Sequence, residues 1–269
     1  MNDDASTTAG STLLFWGLAW TVAALALHVA LGWVRRGWRS PGWRGRGAAL
    51  LAAGATLGSA MCATAVLSLT GEPLAFALGY RSLAALNLWL LAMAAGVATA
   101  GALMGARRWW MQPFTAVLLA LLATGVLVGW IQAAGLRPGV HWRLEFIVAA
   151  GGLMALGFTG ALWMASGGAA YDSDRRTPWG LAAAAVFALT VVGGSQVVMA
   201  SAGLLGQASS SYLGELPSSV LSLACGALLP LILLTMAIDL AVRRSRRGHG
   251  GRGSFAAHHR RRRQRVTGP

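Results

Sequence analysis

Seven long apolar runs, at residues 13–34, 47–69, 82–105, 113–136, 144–166, 179–202 and 219–242, decide what this chain can fold into. About 20 apolar residues in a helix cross the roughly 30 Å hydrocarbon layer of a bilayer. Lipid offers no partner to backbone N–H and C=O groups, so a chain that crosses it repeatedly does so as helices. The fold class implied is all-α, a polytopic membrane bundle of seven transmembrane helices. A mean hydropathy of +0.59 and only 11% charged residues place the chain outside the ordinary soluble classes.

A net charge of +14 invites a nucleic-acid reading, which the placement of the charge argues against. All 22 basic residues are arginine, and 19 of them fall in the first, third and fifth connections and after the last run. Only Arg81, Arg137 and Arg143 fall in the even-numbered connections, on the side of Asp3 and Asp4. Arginine-rich loops stay in the cytoplasm. The expectation is a multi-pass protein of a bacterial plasma membrane, N-terminus outside and C-terminus cytoplasmic; the bacterial assignment rests on the absence of lysine, a mark of GC-rich coding. The first run is too long for a signal-peptide core and lacks a basic leader, so it reads as an anchor.

Three regions follow: an external N-terminal segment (1–12), a seven-helix membrane domain (13–242) and a basic cytoplasmic tail (243–269). The tail is arginine-, glycine- and histidine-rich with little to bury, and is expected to be disordered. Its Arg243, Arg244, Arg246, Arg247, Arg260, Arg261, Arg262 and Arg263 are candidates for contact with anionic lipid head groups. An unknown membrane or cytoplasmic protein is a further possible partner, and no specific nucleic acid is expected.

Runs two to seven read as three helical hairpins after a first span. The ascending helix of each carries small residues, Gly54 and Gly58, Gly125 and Gly129, then Gly193 and Gly194, which allow close helix approach. Near its outer end each carries a related window: Met61-Cys62-Ala63-Thr64-Ala65-Val66, Ile131-Gln132-Ala133-Ala134-Gly135-Leu136 and Met199-Ala200-Ser201-Ala202-Gly203-Leu204. Cys62, Gln132 and Ala200 stand 70 and 68 residues apart. An aromatic turn residue follows, such as Tyr80 or Trp142, and then an Ala/Gly/Ser-rich return helix.

In these windows and in its architecture the chain resembles the MHYT family of bacterial integral membrane sensor domains, over about residues 12–242. The family's repeats carry Met-His-Tyr-Thr-Gly-Met or close variants. The resemblance implies a sensing or accessory signalling role with no enzymatic activity, and in the family the Met and His residues are proposed to hold a metal such as copper. Here Met61, Met199, Thr64, Gly135 and Gly203 match the motif, while Cys62, Gln132 and Ala200 stand at the histidine positions. Imidazole is the donor on which a divalent copper site depends. The resemblance therefore implies a degenerate member with no metal or other cofactor.

A remnant set remains in Met61, Cys62, Met199 and Cys225, at similar depth below the outer ends of their helices. Three readings stay open for it: apolar filling of a packed bundle, which is how Cys and Met ordinarily behave, a Cu(I) site, or a Cys62–Cys225 disulfide. His28 sits in the inner half of the first span, where an interhelical hydrogen bond is the ordinary role. Glu145 beside His141 and Arg143 predicts a local ion pair, and Asp239 is one turn from Arg243. Asn87 and Gln196 read as interhelical hydrogen-bonding residues, and tryptophans at helix ends (Trp33, Trp38, Trp43, Trp109, Trp110, Trp142, Trp163 and Trp179) read as interfacial anchors. A membrane transporter or membrane-assembly accessory protein is the alternative, although the runs contain no carboxylate pair or proton relay.

Overall fold

A computed structural model describes residues 3–72, 77–105, 111–137, 140–167, 176–202, 209–212 and 214–242. Seven helices long and apolar enough to cross a membrane account for nearly all of it, spanning Thr12–Arg39, Trp43–Gly71, Ser82–Met104, Met111–Ala133, Leu144–Ala165, Trp179–Ser201 and Ser218–Val242. The chain is an all-α bundle, as its apolar runs predict. The 243–269 tail lies outside the described residues.

Helix α1 (Asp3–Arg39) turns at Ser40–Gly42 into α2 (Trp43–Gly71). A short strand β1 (Gly79–Tyr80) precedes α3 (Ser82–Gly105). Helix α4 (Met111–Ala133) leads through β2 (Leu136–Arg137) to α5 (Leu144–Gly167). Helix α6 (Arg176–Ser201) is followed by β3 (Ser209–Ser210), β4 (Leu216–Pro217) and α7 (Ser218–Leu223). The seventh span then makes a π-helical turn at Ala224–Leu228 and runs on as helix to Val242.

Helices α1 to α6 pack as a closed ring, each against the next and α6 back against α1. Helix α2 also reaches α4 and α6, so it is the centre of the bundle. The apolar stretch of α2 is 72% buried, against 17% for the seventh span, which lies at the periphery against α2 and α1. An all-round apolar helix such as α2 needs protein on every side. The outward faces of the others carry leucine, including Leu86, Leu90, Leu153, Leu156, Leu228 and Leu231, all exposed. In water these faces would be large apolar patches; against lipid they are an ordinary surface.

Helices α2 and α3 meet backbone to backbone at three glycines. A Cβ at Gly54 would overlap the Val97 backbone, one at Gly58 the Ala92 carbonyl, and one at Gly96 the Gly54 carbonyl. The expectation of close approach holds for this hairpin and fails for parts of the others. Gly129 and Gly194 receive only side chains, from Leu88 and Met154, and Gly125 and Gly193 face open space. Within the spans, Thr56, Thr64, Thr99, Thr115, Thr159 and Thr190 each donate to the carbonyl four residues earlier, which pairs these six hydroxyls inside their own helices.

Two ends result. One carries the arginine-rich α1–α2 turn, which Trp38 fastens to the last turn of α3 by donating its indole N–H to Met104 O at 2.9 Å. The other carries the four strands and is called here the capped end.

Candidate functional site at the capped end

The strands pair across the loops rather than within them. β1 pairs antiparallel with β4 (Gly79 opposite Pro217), and β2 with β3 (Leu136 opposite Ser210). The fourth apolar run was expected to stay helical to Leu136; the helix stops at Ala133 because Gly135 takes φ +57° and the chain enters β2. The Tyr212 ring lies where a Gly135 Cβ would be, so position 135 needs glycine twice over.

Ser210 is the centre of this cap. Its hydroxyl accepts from Gly79 N at 3.1 Å and has one proton for two carbonyls, Ala134 O at 2.8 Å and Gly79 O at 2.9 Å. Glu215 accepts from the Ser82 backbone N–H at 3.0 Å, placing a carboxylate at the N-terminus of α3. Ser218 N donates to Leu78 O, Arg81 N to Ala133 O and Arg143 N to Ser201 O. All three loops of this end are thereby tied together.

Directly beneath, the cap hands its aromatic residue to the core. Tyr80 is fully buried, edge to face with the equally buried Trp130, ring centroids 5.1 Å apart and planes at 89°. Trp89 also meets Trp130 edge to face, at 6.4 Å, and donates its own N–H to Ser59 Oγ at 3.1 Å. The Trp130 indole N–H lies near the Cys62 thiol and closes no hydrogen bond. The Tyr80 hydroxyl has no hydrogen-bond partner among the described residues. Burial holds that hydroxyl well above the usual phenol range, and the neighbouring Cys225 pushes the same way. Cys225 lies in the π turn of the seventh span, an arrangement that inserts one extra residue and re-aims the side chain. Both thiols are free, with Cys62 and Cys225 fully buried.

The three windows reach very different places. Cys62 is in the core, whereas Gln132 and Ala200, at the corresponding positions, are exposed. Met61 and Met199 are buried members of the same apolar cluster as the two thiols. Among the described residues no three His, Cys, Asp or Glu side chains gather as a metal-holding group. Trp130, immediately before the second window, is what sequence reading missed, and its position one residue from Ile131 was the available signal.

A second polar locality joins α1, α2 and α6 at the same end. Ser68 Oγ lies 3.1 Å from Ser195 Oγ, which donates on to Val192 O at 2.7 Å. Glu72, just past α2, lies near Gln196 of α6, but the Gln196 amide nitrogen closes no hydrogen bond, so the interhelical bond expected from it is not formed. Burial raises the Glu72 carboxyl above its usual range, partly offset by Gln196. Glu72 Oε1, Gln196 Nε2 and the nearby Trp16 Nε1 close no full hydrogen bond.

The other candidates are dispersed. His28 is exposed on the wall of a groove of about 670 Å³ between α1, α6 and the seventh span, lined otherwise by residues such as Trp20, Leu181 and Ala237. Glu145, His141 and Arg143 are all exposed and form no ion pair among the described residues; the Arg143 guanidinium lies 5.8 Å over the Phe146 ring instead. Asn87 is exposed on α3 and joins no helix pair. The partner expected for Asp239, Arg243, lies outside the described residues. Comparison with known protein families, curated proteins and solved structures finds no match.

Proposed function

We propose that this chain is a stand-alone, non-enzymatic sensing or accessory signalling protein of a bacterial plasma membrane. The capped end is outside and receives the signal, and the arginine end is cytoplasmic and meets whatever partner reads it. The observation that carries this is the pair of buried donors without acceptors, the Tyr80 hydroxyl and the Trp130 N–H, held under a cap that ties three loops together. A buried unpaired donor is costly, of order 1–3 kcal/mol. A cost of that kind in the core supports reading this place as having a role besides packing. α2 runs unbroken from Cys62 at this site to Trp43 at the arginine end, which gives a rigid path for a change at one end to reach the other.

The resemblance to MHYT sensor domains points the same way, with one qualification of chemistry. The residues at the histidine positions do not fit copper: a carboxamide and a methyl group on the exposed surface and a single thiol in the core are not one coordination set. The signal in this reading is taken without that metal.

The test is a transcript profile of the native host, comparing wild type, a deletion, and a Tyr80→Phe/Trp130→Phe variant that inserts at normal levels. A sensing role predicts that the variant reproduces the deletion's profile. A variant matching wild type, where the deletion does not, overturns the reading.

A further inference from the structure

The α1–α2 turn concentrates positive charge in a way that packing does not require. Arg36, Arg39, Arg44 and Arg46 fall within a dozen residues, with Arg39, Arg44 and Arg46 exposed. No aspartate or glutamate occurs between Asp4 and Glu72, so neither α1 beyond its first turn nor α2 supplies a counter-charge. Helix α2 begins at Trp43 with Gly42 as its N-cap, no side-chain cap and no acid in its first turn. The unmatched N–H groups of a 29-residue helix add their own positive potential there.

The turn is also held in shape. Arg46 Nε donates to Ser40 O at 3.3 Å, Ser40 N to Gly37 O at 3.2 Å, and Trp38 to Met104 O. Arg36 and Arg44 lie over the Trp33 and Trp43 rings at 5.1 and 5.5 Å, which orients their guanidinium groups. Trp43 and Trp38 project outward, 79% and 52% exposed.

We infer that this turn is a binding site for the phosphodiester head group of an anionic phospholipid. The two helices it joins are membrane spans, so head groups are the anions present at its level. Guanidinium forks match phosphate oxygens in pairs. The exposed indoles fit the boundary where head group meets acyl chain, a use that a free soluble anion or a nucleic acid would leave unfilled. The inference is independent of the sensing role and of which leaflet the turn faces.

Native mass spectrometry of the full chain in mild detergent, titrated with phosphatidylglycerol or phosphatidylcholine of identical acyl chains, tests it. Phosphatidylglycerol should be retained at least tenfold more tightly. Arg39→Gln, Arg44→Gln and Arg46→Gln together should remove that preference, about fivefold per arginine. The corresponding lysine triple variant keeps the charge needed for insertion and should fall between. Changing Arg260, Arg261, Arg262 and Arg263 to Gln should leave the tightest lipid in place. Equal retention of the two lipids by the wild type overturns the inference, as does displacement of the lipid by millimolar inorganic phosphate or by an RNA oligonucleotide.

Discussion

Tyr80 and Trp130 meet edge to face at 5.1 Å, and each carries a buried donor that finds no oxygen or nitrogen acceptor. One comes from the cap and one from α4, so the contact is where the loops of the capped end are coupled to the helix bundle. The interaction is worth about 1 kcal/mol beyond area burial. The unsatisfied donors act against it.

Tyr80→Phe is therefore expected to raise the thermal midpoint of the ligand-free protein by a few degrees, about 1 kcal/mol, because it removes an orphan hydroxyl and keeps the ring. Trp130→Ala should lower stability by about 3–5 kcal/mol through the cavity it leaves. Thermal unfolding in a single detergent measures both. A Tyr80→Phe midpoint several degrees below wild type would mean that the hydroxyl already has a partner.

Gly58 meets the Ala92 and Met93 backbone, which cannot give way as a side chain can. Gly58→Ala should destabilise by about 1–3 kcal/mol, and Gly58→Leu should abolish the folded bundle. Gly125→Ala, facing open space, should be neutral or mildly stabilising. Equal midpoints for Gly58→Ala and Gly125→Ala would show that α2 and α3 approach less closely than described.

The contrast between these glycines shows what the sequence made legible. Span existence and order follow from local hydropathy, and the seven helices fall within a few residues of the apolar runs. Which glycine touches backbone depends on helix rotation, which the nearly uniform Ala/Leu/Gly surface of α2 and α4 does not encode. The cap was illegible for another reason: its strands are two residues long, and the Gly79–Ser210 contact joins positions 131 residues apart. Cys62, Gln132 and Ala200 share a place in a repeat but not in space, since one faces the core and two face out. Tyr80 was visible as a turn aromatic, but its burial against Trp130 was not.

Glu72 gives the pH dependence a sign. Its carboxyl is raised by burial in the folded protein, so folding favours the protonated form. The stability it contributes is fully present below the unfolded value, about 4.3, and is lost as pH rises through the raised folded value. The difference in thermal midpoint between wild type and Glu72→Gln should become more unfavourable to wild type as pH increases across that window, then level off. A difference that is flat from pH 4 to pH 8 would place Glu72 in water.

With Cys62, Gln132 and Ala200 in place of any histidine in the three windows, purified protein exposed to Cu(II) and desalted should keep no stoichiometric metal. Cu(I) under reducing conditions is the harder test, because Met61, Cys62, Met199 and Cys225 are soft donors in one buried cluster. One tightly held copper, absent from a Cys62→Ala variant, would reverse the assignment of this chain as metal-free.

Orientation is the remaining prediction, and the arginines set it. The α1–α2 turn, the α3–α4 and α5–α6 connections and the tail hold 19 of the 22. Each arginine moved across an energised membrane works against a potential of roughly 2.3 kcal/mol per 100 mV and against retention by anionic lipid. The run Arg260-Arg261-Arg262-Arg263 and its neighbours should keep the tail on the cytoplasmic face, bound to that lipid in a salt-dependent manner. Reporter fusions after Gly71 and Pro269 should accordingly score external and cytoplasmic. A tail peptide should bind anionic vesicles, weaken as salt rises, and ignore zwitterionic ones. Reversed reporters would invert the bundle. Binding indifferent to both salt and lipid charge would mean that the tail is held by a protein instead.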